Sequence, residues 1–171
     1  AVLAAALAEI VRRHEALRTT FAVADGRPFA VIRQVGGAVS EPAVPLAQVD
    51  FTALSIDTQA AEERRLAGQE LQRPFDLARG PLLRATLLRL SPVEHSLLFS
   101  LHHIVSDGWS IGVLCREAAA LYAAFASRRP SPLPTLPIQY VDFAVWQRSS
   151  LREEALAAAL ASRPRLIVLD E

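Results

Sequence analysis

Apolar residues recur at Leu3, Leu7, Ile10, Val11 and Leu17, with Glu9, Arg12 and Arg13 elsewhere around the turn, so residues 2–17 are predicted to open the chain as a helix. Residues 19–23 and 28–35 are β-prone. Between them Ala24-Asp25-Gly26-Arg27 carries the Asp-Gly pair that tolerates positive φ at both centre positions of a tight hairpin. Residues 36–45 read as a flexible connection and 46–51 as a short edge strand, with Asp57 capping a helix that runs to about Gln72 and is closed by Pro74. Two apolar runs, 82–90 and 96–101, flank Ser91-Pro92-Val93-Glu94-His95 and form an antiparallel pair. A helix is predicted from about Ser110 to Ser127. Residues 129–137 hold four prolines and form a stiff extended segment, and 140–151 form a last helix. Strands interleaved with amphipathic helices, hairpins among them, indicate an α+β fold: a mixed sheet packed with helices.

Composition narrows the partners. With 51% hydrophobic residues, the 171-residue chain can build one domain with a sizeable core. Eighteen basic residues balance eighteen acidic ones, which removes the electrostatic reason to expect nucleic acid or an anionic membrane surface. Every basic residue is Arg. Without Lys, neither Schiff-base chemistry nor the lysine of a Walker loop is available. The apolar runs are too short to span a bilayer and no basic-then-apolar leader is present, so a cytoplasmic location is expected. The single Cys115 forms no intrachain disulfide and no Cys-rich zinc site. It falls in Ile111, Leu114, Cys115, Ala118, Leu121, Tyr122 and Phe125, a helical spacing that places it with the core. Arg12, Arg13, Arg64 and Arg65 read as solvated helix faces, His14 as a packing or hydrogen-bonding residue, and His95 as an exposed turn residue. The chain has no Met and opens inside a helix, as expected for a piece of a longer protein.

The chemistry concentrates in His102-His103-Ile104-Val105-Ser106-Asp107-Gly108, at the end of the apolar run 96–101. Parity along the strand puts His103 with Leu97, Phe99 and Leu101, and His102 with Leu98 and Ser100. Diverging histidines offer a metal at most one ligand per face, so no metal is expected. An Asp107 carboxylate near an apolar strand end calls for an arginine partner. Gly108 permits positive φ or a close backbone approach. One rival reading is a serine hydrolase, because Gly108-Trp109-Ser110-Ile111-Gly112 satisfies the G-x-S-x-G elbow. Against it, four residues separate His103 from Gly108, and no histidine follows Ser110.

Three blocks carry a family resemblance. Arg13-His14-Glu15-Ala16-Leu17-Arg18-Thr19-Thr20-Phe21 matches RHExLRTxF, Leu101 to Ser110 contains HHxxxDGWS, and Tyr140-Val141-Asp142-Phe143-Ala144-Val145-Trp146 matches YxDFAVW. Pro74-Phe75-Asp76-Leu77 with Gly80-Pro81-Leu82-Leu83-Arg84 adds a fourth. In this order the blocks resemble the condensation domain of nonribosomal peptide synthetases, of the chloramphenicol-acetyltransferase-like superfamily. The resemblance implies that residues 1–156 are the N-terminal lobe of a two-lobed fold, truncated at its start. The second, C-terminal lobe would be absent and the isolated fragment inactive. It implies amide bond formation between a carrier-bound thioester and the α-amine of a carrier-bound acceptor. No cofactor is bound by the domain itself; substrates ride on the phosphopantetheine of carrier proteins, with an adenylation domain as a further partner. His103 would act on the amine as base or positioning group, and the Gly108 N–H would contact the thioester carbonyl. His102 would hydrogen-bond neighbouring backbone, Asp107 would pair with Arg18, and Trp109, Tyr140 and Trp146 would pack. Residues 157–171 depart from the family and resemble the apolar strand plus Asp-Glu of ABC-type ATPases. They read as an unrelated join or a terminal buried strand. A non-catalytic half-domain that binds another polypeptide is the alternative of a different class.

Overall fold

The computed structural model describes residues 1–34 and 44–150. Most of the connection expected at 36–45, and the tail at 157–171, lie outside them. The chain divides into two units, residues 1–136 and 137–171.

In the first unit, helix α1 (Val2–Arg13) is followed by a 3₁₀ turn (Glu15–Arg18) and by strands β1 (Thr19–Ala24) and β2 (Arg27–Ile32). The hairpin forms as its turn chemistry predicts: Asp25 and Gly26 have φ of 51° and 73°, and Ala24 pairs with Arg27. Strand β3 (Leu46–Asp50), helix α2 (Ile56–Gln72), β4 (Leu83–Arg89) and β5 (His95–Leu101) come next, then a 3₁₀ turn (His103–Val105) and helix α3 (Gly108–Ala126). β3 is the edge strand, parallel to β4, while β4 and β5 are antiparallel with Leu83 opposite Leu101. α2 starts one residue earlier than its predicted cap. Ser55 is the N-cap, its hydroxyl accepting from the Thr58 N–H at 3.3 Å, and Asp57 sits inside the first turn.

Strand parity sorts the layers. Leu83 and Ala85 of β4, with Leu97, Phe99 and Leu101 of β5, face a core shared with Leu7, Ile10 and Val11 of α1 and Leu114 and Leu121 of α3. On the opposite parity, Arg84 pairs with Glu70 and the Ser96 hydroxyl donates to Glu63, so α2 covers the other face. Gln59 closes the far end. Its buried side-chain amide donates to the Phe51, Leu54 and Leu90 carbonyls at 3.0, 3.3 and 3.0 Å.

Two sequence expectations fail in this core. Arg13 is buried, and not on a solvated face: it donates to Glu117 through Nε (3.2 Å) and Nη2 (3.3 Å), and to the Pro134 carbonyl at 2.8 Å. The last turn of α1 abuts α3, so its stem is covered while its fork reaches a carboxylate. His14 Nε2 joins the same carboxylate at 2.8 Å. Cys115, in turn, is exposed. The buried stripe of α3 runs through Leu114, Leu121 and Ala124, which leaves Ile111, Cys115 and Tyr122 on its open side.

The second unit's described part contains helix α4 (Tyr140–Ser150). The Asp142 carboxylate accepts from the Gln139 N–H at 2.8 Å, and the rings of Tyr140, Phe143 and Trp146 follow one another at 6.1 and 5.7 Å.

Glu117 gives the α1–α3 contact a pH dependence. Burial pushes its carboxyl up, but hydrogen bonds from Arg13 and His14 and their charges outweigh that and hold it below the usual glutamate range. A group with a depressed folded pKa stabilises above its unfolded value and loses that contribution as pH falls through the folded one. Glu117→Gln is expected to cost about 2 kcal/mol at neutral pH, the scale of charge-assisted hydrogen bonds, with the gap to wild type closing in acid. Urea melts across pH check this; equal stability at neutral pH contradicts the clamp.

Candidate active site

The β4–β5 ladder continues one bond past Leu101, with the His102 N–H donating to the Leu82 carbonyl at 3.1 Å. Beyond that point the chain has no strand to pair with. The strand parity extended through His103 therefore does not hold: His102 ends the extended run and His103 begins a 3₁₀ turn. His102 Nδ1 accepts from the Ile104 N–H at 3.0 Å, and the His102 carbonyl accepts from Val105 N–H (3.0 Å) and the Ser106 hydroxyl (3.3 Å). With Nδ1 accepting from a backbone donor, a neutral His102 carries its proton on Nε2.

Asp107 finishes the turn. It is the N-cap of α3, its Oδ1 accepting from the Ser110 N–H at 2.8 Å and the Ser110 hydroxyl at 2.5 Å. Those two bonds hold its carboxyl below the usual aspartate range, with a smaller pull from the neighbouring His103 ring. The expected Arg18–Asp107 pair is not formed. Arg18 instead pairs with Glu15 at 3.0 Å and donates to the Arg33 carbonyl at 2.5 Å, where β1 begins. Asp107 is exposed, so water and the helix end satisfy its charge without an arginine.

Gly108 is the first residue of α3, and its φ lies outside the left-handed region that the sequence allowed for. A Cβ there would meet nothing within 4 Å, so its backbone is open to close approach. The helix starts at Gly108 and Ser110 lies in its first turn, with the hydroxyl committed to Asp107. That is a first-turn serine bonded to the N-cap, not the free nucleophile of a strand-to-helix elbow. Trp109 does not pack: it is 82% exposed.

His102, His103, Asp107 and Gly108 line an open cleft of about 600 Å³ together with Glu70, Arg73 and Phe75. His103 is exposed. Among the described residues its ring has no hydrogen-bonded partner, whereas the His102 ring has one.

A second group escaped the sequence reading. Arg84 lies with its guanidinium carbon 3.7 Å from the Phe75 ring centroid, and that ring meets His102 edge-on at 5.8 Å and 88°. The signal was available, since an arginine flanked by apolar residues near the start of the run 82–90 demands a partner.

Among the described residues no helix is long and apolar enough to cross a membrane. A family model described as "Condensation domain" matches residues 1–161. Chondramide synthase cmdD of Chondromyces crocatus is 47% identical over 153 residues, which cover 88% of this chain and 4% of that protein. Phosphinothricin tripeptide synthetase PhsC of Streptomyces viridochromogenes is 46% identical over 155 residues, covering 91% of this chain and 14% of that protein. Among solved structures, the X-domain from teicoplanin biosynthesis superposes with a TM-score of 0.71 at 31% identity, covering 90% of this chain and 31% of that one. The chain thus spans a small part of the relatives it matches.

Removing the cap tests the turn. Asp107→Ala is expected to lower the melting temperature at neutral pH, while Asp107→Asn, which keeps an acceptor oxygen, retains most of it. Because Asp107 is depressed in the fold, its contribution is present above the usual aspartate range and lost as pH falls through the lowered value, so the Ala gap closes in acid. Thermal unfolding of the three proteins across pH decides; an Ala variant with unchanged melting contradicts the assignment.

Proposed function

This chain belongs to the condensation domain family, and from that premise we propose that it takes part in amide bond formation in nonribosomal peptide synthesis. The donor is an acyl or peptidyl thioester on one carrier protein and the acceptor is the α-amine of an aminoacyl group on another, each on a phosphopantetheine arm. The domain itself binds no cofactor. The acceptor nitrogen bonds to the donor carbonyl carbon, the C–S bond breaks, the pantetheine thiol leaves, and the nitrogen gives up a proton. His103 acts on that nitrogen as base or positioning group.

The observation that carries this reading is the division of labour in the motif. His102 Nδ1 and Asp107 Oδ1 accept from the Ile104 and Ser110 N–H groups, and His103 stands exposed in the cleft. An imidazole with a reference pKa of about 6.5 can take a proton from an amine becoming an amide. Gly108 at the helix start offers its N–H, at the positive end of the α3 dipole, to the oxygen of the thioester carbonyl as charge develops there. The exposed cleft and exposed Trp109 fit a lobe that works against a second one, with an adenylation domain elsewhere in the same synthetase.

In a complete synthetase carrying this segment, His103→Ala is expected to lower single-turnover amide formation by about 10²- to 10⁴-fold. Loss of the alkaline-rising limb of the rate, with carrier affinity intact, identifies His103 as base. Ordinary turnover without the ring overturns the proposal. The half-domain alternative predicts carrier binding without any His103-dependent turnover.

A further inference from the structure

Arg84 is bound in a way that exceeds the needs of its strand. Its Nε pairs with Glu70, Nη1 donates to the Pro74 carbonyl at 3.1 Å, and Nη2 donates to the Arg73 and Glu70 carbonyls at 2.8 and 3.4 Å. These are backbone acceptors at the C-terminus of α2, a helix with no basic residue in its own last turn. A cation from β4 therefore supplies what that helix end lacks. The planar fork fixes residues 70–74 in one geometry, and its face lies against Phe75. Phe75 then meets the His102 ring edge-on.

The orientation of His102 is a choice between two states. Turning the ring over would put Cδ2 where Nδ1 accepts from the Ile104 N–H, and without that bond the backbone no longer fixes which nitrogen carries the proton. The Ile104 bond, at an exposed residue, favours one state by only a modest amount. Packing against an immobilised aromatic ring adds the rest.

We propose that Arg84 is a positioning residue: through Phe75 it holds His102 in one orientation, with Nδ1 on the Ile104 N–H and Nε2–H left as a hydrogen-bond donor at the cleft. The importance for turnover rests on the reading of the cleft as the reacting site; the orientation itself does not. Arg84 touches no reacting atom, and it acts on the cleft lining through residues 70–75 and, by way of Phe75, through His102.

The test is the ring nitrogen spectrum of the ¹⁵N-labelled 171-residue chain. The wild-type protein is expected to show His102 as a single tautomer with Nδ1 unprotonated. Phe75→Leu and Arg84→Met are expected to bring both His102 nitrogens toward averaged values and to shift the Ile104 amide, with the amides of Thr86 and Leu97 unmoved. Arg84→Lys, which keeps the charge but not the fork, is expected to fall between. An unchanged His102 tautomer in folded Phe75→Leu and Arg84→Met overturns the proposal, and if Arg84→Met fails to fold, Phe75→Leu alone decides. In a complete synthetase Phe75→Leu is expected to lower kcat by up to about 100-fold, the scale of a displaced group near a reacting centre, with carrier KM little changed. Absence of turnover in the wild-type synthetase removes the functional reading and leaves the ring signature standing.

Discussion

The site depends on where the sheet runs out of backbone partners. The hydrogen bond from His102 N–H to the Leu82 carbonyl is the last contribution of β4, and six residues later the first helical position of α3 is reached. In that interval the donors are satisfied within the turn itself, by side chains or by water. His102 accepts from Ile104, Asp107 accepts from Ser110, and the Ser106 hydroxyl returns to the His102 carbonyl. Three of the motif's polar side chains are thereby engaged in turning the chain. The fourth, His103, is exposed, with no hydrogen-bonded partner for its ring among the described residues.

Around this turn the molecule is braced from two sides. Glu117 on α3 gathers Arg13 and His14 from the end of α1, fixing the helix that Asp107 starts. Across the sheet, Arg84 ties the end of α2 to β4 and stacks on Phe75 beneath His102. Both braces put an arginine against a carboxylate with carbonyl oxygens completing the fork, which makes them specific in direction as well as favourable in energy. The apolar core of Leu7, Ile10, Leu83, Leu114 and Leu121 supplies the cohesion that neither brace could provide.

Local chemistry was legible in the sequence and non-local pairing was not. The Asp25-Gly26 turn, the β4–β5 pair and the start of α1 follow from propensities within a few residues and stand where the pattern put them, whereas α1 gives way to a 3₁₀ turn after Arg13 and α2 is capped by Ser55 in place of Asp57. A helical stripe, however, gives a face without saying which half of it meets a neighbour. Hence Arg13 went inside and Cys115 outside, against expectation. Parity failed at His103 because alternation lasts only as long as the ladder, and the ladder's end is set by Leu82, twenty residues away in sequence. Arg18 and Asp107 each found a partner within fifteen residues, and these local bonds replace the longer-range pair while leaving the Arg18 Nε buried without an acceptor.

If the turn is built in this way, His102 and Asp107 are the acceptors for the Ile104 and Ser110 amides. Residue-resolved hydrogen exchange on the wild-type chain, His102→Ala and Asp107→Ala reads those two bonds directly. Both amides should be protected in the wild type although they lie near the surface; His102→Ala should release Ile104 alone, and Asp107→Ala should release Ser110. Free exchange at both amides in the wild-type protein would leave the turn without its acceptors and His103 without a fixed place in the cleft.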